Sequence, residues 1–262
     1  MKDLKQLLKT RPVFGTTLTS MSSVMAEVIG AYGMDYLFID AEHTPCEVTG
    51  LREVVLASEN AGIAPLIRTT RPDEIEIRKA LEIGAAGIIC PHCKTRQDVE
   101  TMIAGAKFPP LGHRGYDCGV HAARYGGYGY DPVTYMNHCH EKQLVIPMCE
   151  DYEFIDNIDD ILEVEGIDAI CFGPADYAMS LNITKLYKID HPQVRKGLDM
   201  LMEKTARKGI EVMLVANPPT YEAIDNLLNM GVRMVTLASE IIILQQSLRD
   251  IKEKVLDRYQ ER

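Results

Sequence analysis

The sequence predicts an α/β fold, a (β/α)8 TIM barrel in a single domain over residues 1–262, and two observations carry that expectation. Eight short apolar segments alternate from end to end with eight longer segments of helical periodicity. Glycine also recurs between each helical segment and the next apolar one. Parallel strands need a helical crossover for each return, and eight is the number that closes the sheet on itself. An open doubly wound sheet is the competing arrangement. No linker rich in proline or serine divides the chain.

Expected strands are 13–18, 36–40, 65–69, 87–92, 144–150, 169–172, 212–216 and 234–238. Expected helices are 22–32, 47–60, 73–83, 96–106, 154–162, 192–207, 221–229 and 240–258. Ser22, Thr95 and Thr220 are suited to cap three of them, and Pro72 and Pro192 sit near first turns. Gly33, Gly62, Gly84, Gly166, Gly209 and Gly231 mark helix ends. One connection breaks the rhythm. From Phe108 to about His140 the chain is rich in glycine and tyrosine, and it reads as one long loop, either a lid over the active site or a subunit contact. The last helix carries Ile241, Ile242, Ile243 and Leu244 in succession, which suggests burial on more than one side, against another subunit.

Composition narrows the class. The chain is 46% hydrophobic and 25% charged, and 28 Lys and Arg against 38 Asp and Glu give a net charge of −10. That balance disfavours nucleic acid or an anionic membrane as partner. Residues 1–9 lack the uninterrupted apolar core of a signal peptide, and the later apolar runs are too short to span a bilayer. Seven cysteines, an odd number, suggest reduced thiols. The expectation is a soluble cytoplasmic protein acting on small molecules.

Candidate chemistry lies at the strand ends, where a barrel assembles its site. Glu150 and Asp176 end the fifth and sixth strands. Neighbouring strands are about 4.8 Å apart, so the two carboxylates can converge on one cation. With water and substrate oxygens they suit Mg2+, Mn2+ or Co2+; alternatively each caps the helix that follows it. Asp40, three residues before His43, can hold one ring nitrogen and leave the other as a general base. Arg68 ends the third strand with a fork suited to a carboxylate or oxyanion, the alternative being a salt bridge to Glu42 or Glu82.

Cys90-Pro91-His92-Cys93 has the C-x-x-C pattern of a thiol-redox protein, the reading from another functional class. The expectation here is that Cys93 lines the mouth. His113, His138, Cys139 and His140 raise zinc but lack finger spacing. Lys94 is the one lysine at a strand tip that could form a Schiff base, on a turn expected to be exposed. No phosphate-binding loop occurs, and Gly126-Gly127-Tyr128-Gly129 does not follow a strand.

Ile39-Asp40-Ala41-Glu42-His43-Thr44-Pro45, Ile67-Arg68, Phe108-Pro109-Pro110-Leu111-Gly112-His113-Arg114-Gly115, Glu150 and Gly173-Pro174-Ala175-Asp176 resemble the HpcH/HpaI aldolase family. The resemblance runs from about Phe14 to Leu244. It implies a metal-dependent (class II) aldolase of the phosphoenolpyruvate/pyruvate superfamily, cleaving a 4-hydroxy-2-oxo acid to pyruvate and an aldehyde. An oxaloacetate decarboxylase or related carbon–carbon lyase is the near alternative. A homo-oligomer is implied too, commonly a hexamer that exchanges its last helix between neighbours. Glu150 and Asp176 would hold the divalent metal, which would chelate pyruvate through its keto and carboxylate oxygens. His43, oriented by Asp40, would act as base with a metal-associated water, and Arg68 would stabilise the enolate oxygen. Backbone N–H groups around Gly173, Pro174, Ala175 and Asp176 would receive the substrate carboxylate. The chain departs from the family pattern at four positions. Met148 stands near the substrate in place of glutamine, and His92 in place of an apolar residue. Glu82 replaces a supporting aspartate, and Thr69 a proline.

Overall fold

The computed structural model describes residues 1–184 and 189–260. Its eight parallel strands close in sequence order into a barrel. The strands are β1 Val13–Leu18, β2 Tyr36–Asp40, β3 Ala64–Arg68, β4 Gly87–Cys90, β5 Leu144–Cys149, β6 Ala169–Phe172, β7 Glu211–Ala216 and β8 Met234–Ser239. The helices are α1 Leu4–Leu8, α2 Ser23–Ala31, α3 Val48–Asn60, α4 Glu74–Glu82, α5 Arg96–Ala106, α6 Pro132–Lys142, α7 Tyr152–Asp156, α8 Ile158–Ile161, α9 Pro174–Ser180, α10 Pro192–Lys208, α11 Tyr221–Asn229, α12 Glu240–Ile251 and α13 Asp257–Gln260.

Alternation along each strand explains both the core and the site. Tyr36, Phe38, Leu66, Ile146, Met148 and Cys171 pack together inside the barrel, with Leu4 and Leu8 of α1 in the same cluster at its N-terminal end. A period of two then puts the next inward position at Asp40, Arg68 and Glu150. Polar groups thus begin one layer above the last apolar one. Gly15 is required where Tyr36 fills the interior, since a Cβ there would lie 2.4 Å from the Tyr36 ring. The Tyr36 hydroxyl meets the Thr236 hydroxyl at 2.8 Å, which satisfies a buried phenol. Outside the strands, Val54, Ile77, Val99, Phe154 and Leu198 of the helices pack onto the opposite strand faces.

All eight expected strands are present, with ends shifted by no more than two residues. Ser22, Thr95 and Thr220 cap their helices, and the six glycines expected at helix ends have positive φ. The segment after Phe108 differs from expectation. It contains a short 3-10 turn at His121–Gly126 and the helix α6, which Asp131 caps by accepting from the Thr134 N–H at 2.7 Å. It is also no lid over the mouth of its own barrel. His121 bonds to Glu59 at the end of α3 (2.7 Å), and Arg114 donates to Gln143 just before β5 (2.8 Å), both at the end opposite the strand tips.

Three further differences concern helices. The expected helix 154–162 breaks at Asn157, whose amide donates to the Lys94 carbonyl at 2.9 Å. α1 and α9 were not expected. The final helix runs from Glu240 through a π-turned stretch, Lys252–Leu256, into α13. Its Ile241, Ile242, Ile243, Leu244, Leu248 and Ile251 are exposed in the single chain. Among the described residues no helix is long and apolar enough to cross a membrane.

Candidate active site

A cavity of about 410 Å³ opens at the C-terminal end of the strands, lined among others by His43, Arg68, Met148, Glu150, Gly173 and Asp176. The residues expected to act in catalysis, metal binding and substrate binding therefore border it, except Asp40, which bonds to Arg68 from behind.

β2 and β3 pair in register with Asp40 opposite Arg68. Arg68 donates to Asp40 from Nε (2.9 Å) and from Nη2 (2.6 Å), and its Nη1 lies 2.9 Å from Glu42 Oε2. Its guanidinium lies over the Phe38 ring at 5.4 Å. Burial raises the Asp40 pKa, but the hydrogen bonds and charge of Arg68, together with the His43 N–H and ring, outweigh it and hold the carboxyl below the ordinary aspartate value. Two of the five guanidinium N–H groups are hydrogen-bonded to Asp40, and Nη1 adds a close ion pair with Glu42.

Asp40 does not hold the His43 ring. Its Oδ1 accepts from the backbone N–H groups of Glu42 (3.1 Å) and His43 (3.2 Å), forming an Asx turn. The ring of His43 is 63% exposed, with Nε2 3.7 Å from Glu42 Oε2. The expected salt bridge from Arg68 goes to Glu42, whereas Glu82 lies in the last turn of α4, 3.8 Å from Arg78.

Glu150 is 1% exposed. Its Oε1 accepts the backbone N–H of His92 at 2.7 Å. Burial raises its pKa to about 7, against the opposing pull of His92 and with a further push from Glu42 and Asp176. Gly173 leaves room for it, since a Cβ there would lie 2.8 Å from Glu150 Cβ and 2.9 Å from Oε2. Asp176 falls in the first turn of α9, after Pro174 at N1. The Gly173 N–H donates to the Cys149 carbonyl at 3.1 Å, and proline has none. The free backbone donors of this turn are therefore those of Ala175 and Asp176.

Sequence reasoning gave Glu42 only an alternative salt bridge to Arg68, and gave Asp151 no role. His92 Nδ1 lies 2.9 Å from Asp151 Oδ2, and Nε2 lies 3.5 Å from Glu42 Oε1. Alternation from Phe38 through Asp40 to Glu42 was the available signal for Glu42. Asn217, just beyond β7, and Asn226 of α11 also border the cavity.

The alternatives fare differently. Cys90 and Cys93 are both buried, and Cys93 packs behind the strand in the outer core rather than lining the mouth. Burial pushes the Cys90 thiol up to about 12 and the Cys93 thiol well above its ordinary value, the reverse of what an attacking thiolate needs. Lys94 pairs with Asp151 (3.1 Å) and Glu153 (3.5 Å), contacts that keep its ammonium charged and disfavour Schiff-base formation. His113 pairs with Glu74 (2.9 Å), and the described residues contain no cluster of three or more metal-ligating side chains.

The donors at the mouth nonetheless fit a hard divalent cation. Among the described residues neither Glu150 nor Asp176 has a lysine or arginine partner, the one ion-pair contact of Glu150 being His92 Nδ1 at 3.8 Å. Two carboxylates of this kind supply oxygen ligands and charge, and leave the remaining positions to water and substrate.

An eight-stranded barrel with acids, imidazole and guanidinium at the C-terminal mouth defines a barrel enzyme. Residues 14–245 match the model of the HpcH/HpaI aldolase/citrate lyase family, and the chain belongs to that family. It is an aldolase-type lyase. A 2-keto-3-deoxy-L-rhamnonate aldolase of Klebsiella pneumoniae subsp. pneumoniae is 29% identical over 245 residues, 92% of this chain and 88% of the relative. A 2-dehydro-3,6-dideoxy-6-sulfogluconate aldolase of Pseudomonas putida is 25% identical over 240 residues, 90% of each chain. The crystal structure of the citrate synthase SbnG superposes with a TM-score of 0.87 at 29% identity, covering 98% of this chain and 99% of the other.

Proposed function

We propose that this chain, as one domain over residues 1–262, reversibly cleaves a 4-hydroxy-2-oxo acid to pyruvate and an aldehyde with the help of Mg2+, Mn2+ or Co2+. The observation that carries the reading is the pair Glu150 and Asp176, without lysine or arginine partners among the described residues, in one cavity with Arg68 and His43. The aldolase relatives act on 2-keto-3-deoxy and related acids by name, which supports the same bond class.

Glu150 and Asp176 hold the cation, whose Lewis acidity lowers the cost of negative charge on the keto oxygen. Arg68, held by Asp40 and Glu42, retains N–H groups on Nη1 and Nη2 for the oxygen on which charge develops. His43 stands at the mouth with an exposed ring and takes the proton from the C4 hydroxyl, so that the bond between C3 and C4 breaks. The backbone N–H groups of Ala175 and Asp176 receive the substrate carboxylate, and Met148 packs beside it. In the cell the protein is a cytoplasmic homo-oligomer, a hexamer, whose exposed apolar α12 is covered by a neighbouring copy.

Pyruvate release should be measured for a panel of hydroxy-oxo acids, with oxaloacetate as comparison, before and after chelator treatment. Metal-restored cleavage of hydroxy-oxo acids is expected. Full turnover after thorough metal stripping overturns the reading, and preferential turnover of oxaloacetate points to a decarboxylase instead.

A further inference from the structure

His92 lies at the tip of β4, between elements that the proposed chemistry treats as separate. Its φ of 52° is left-handed, a conformation a side chain with a Cβ adopts at a cost and keeps only where its surroundings hold it. Two contacts hold it. The backbone N–H donates to Glu150 Oε1 at 2.7 Å, and ring Nδ1 meets Asp151 Oδ2 at 2.9 Å. The other ring nitrogen then faces Glu42 Oε1 at 3.5 Å. The opposite oxygen of that carboxylate lies 2.9 Å from Arg68 Nη1. One imidazole therefore reaches from Asp151, at the end of β5, to within 3.5 Å of the carboxylate that flanks Arg68.

We propose that His92 is a positioning residue: anchored by Asp151, its ring fixes Glu42, and Glu42 with Asp40 fixes the guanidinium of Arg68 at the cavity. Asp40 already grips Nε and Nη2, so the ring acts on the Nη1 side. A guanidinium gripped from one side only can rock about that grip. Braced from both, it presents its free N–H groups in one place, which is what stabilising a developing oxyanion requires. The proposal rests on the aldolase reading above only for its kinetic readout.

The test is His92→Gly, which accepts the left-handed backbone, keeps the N–H to Glu150 and removes the ring. Expected are a thermal midpoint at or above that of the parent and unchanged Mn2+ affinity. The kcat for hydroxy-oxo acid cleavage should fall about 10–100-fold with little change in KM. His92→Asn, which tolerates the same backbone but is too short to reach from Asp151 to Glu42, should show the same loss. In a Glu42→Gln background, His92→Gly should cost no further kcat, and independent additive losses overturn the proposal. So does a kcat within about twofold of the parent, or a loss of Mn2+ affinity in step with kcat, which would route the effect through Glu150. A crystal structure of His92→Gly reads the contact whatever the substrate proves to be. Glu42 drawn away from Arg68 supports the brace, and Glu42 unmoved overturns it.

Discussion

Asp40 and Arg68 occupy the same register position on β2 and β3, and they meet through two parallel hydrogen bonds of 2.9 and 2.6 Å. Adjacent parallel strands align them, and both side chains are buried, Arg68 over the Phe38 ring. Asp40→Asn should lower stability by about 2 kcal/mol in urea denaturation, the value of a charge-assisted bond to a buried partner. Arg68→Lys should fold but lose more than about tenfold in kcat/KM, because an ammonium cannot reproduce the fork.

Gly173 has a φ of −97°, open to any residue, so Gly173→Ala isolates crowding from backbone strain. The new methyl would lie 2.8 Å from Glu150 Cβ, a buried atom with little room to retreat. Mn2+ binding, followed by calorimetry, should weaken roughly 10-fold or more as Glu150 is displaced. Unchanged affinity would show that Glu150 does not hold the ion.

Thiol labelling provides an independent check on the redox alternative. Cys118 is exposed and Cys46 partly so, while Cys90, Cys93, Cys139, Cys149 and Cys171 are buried. In native protein a disulfide reagent should label Cys118 first and leave the five buried thiols protected until unfolding. Cys93→Ser should retain lyase activity. Fast labelling of Cys90 or Cys93 would contradict their burial.

Asp35 gives a pH dependence. Burial opposes its ionisation, but hydrogen bonds from Arg11 and Lys2 prevail and lower its pKa from 3.8 to about 2. A carboxyl whose folded pKa is depressed stabilises the fold fully above its unfolded pKa and loses that contribution as pH falls through the folded one. The window is therefore about pH 4 to pH 2. With discount for the exposed Arg11 end, Asp35→Asn should cost about 1–2 kcal/mol at pH 7. Denaturation curves of variant and parent should converge as the pH nears 2.

The strands were legible because buried parallel strands read as mostly apolar runs, six of them preceded by a glycine that ends the helix before. α6 was hidden by the surrounding glycines and tyrosines, although Asp131-Pro132 announces a helix start. α1 was hidden by its short length and by Lys5 and Gln6 between its leucines. At the site, the acids, imidazole and guanidinium read at strand tips lie together at the mouth of the barrel. Their partners could not be read in the same way. Spacing put Asp40 beside His43, but register decides that its carboxylate meets Arg68 and the backbone. The left-handed turn that swings His92 between Asp151 and Glu42 leaves no mark in a one-dimensional pattern.

Leu4 and Leu8 of α1 sit in the same cluster as the barrel interior and close its far end. Among the described residues, reactants therefore arrive and depart at the strand-tip mouth. A reactant seated against Glu150 must enter before anything that rests above it and leave after it. Steady-state kinetics in the synthetic direction should accordingly be ordered, with the oxo acid binding first and the aldehyde second.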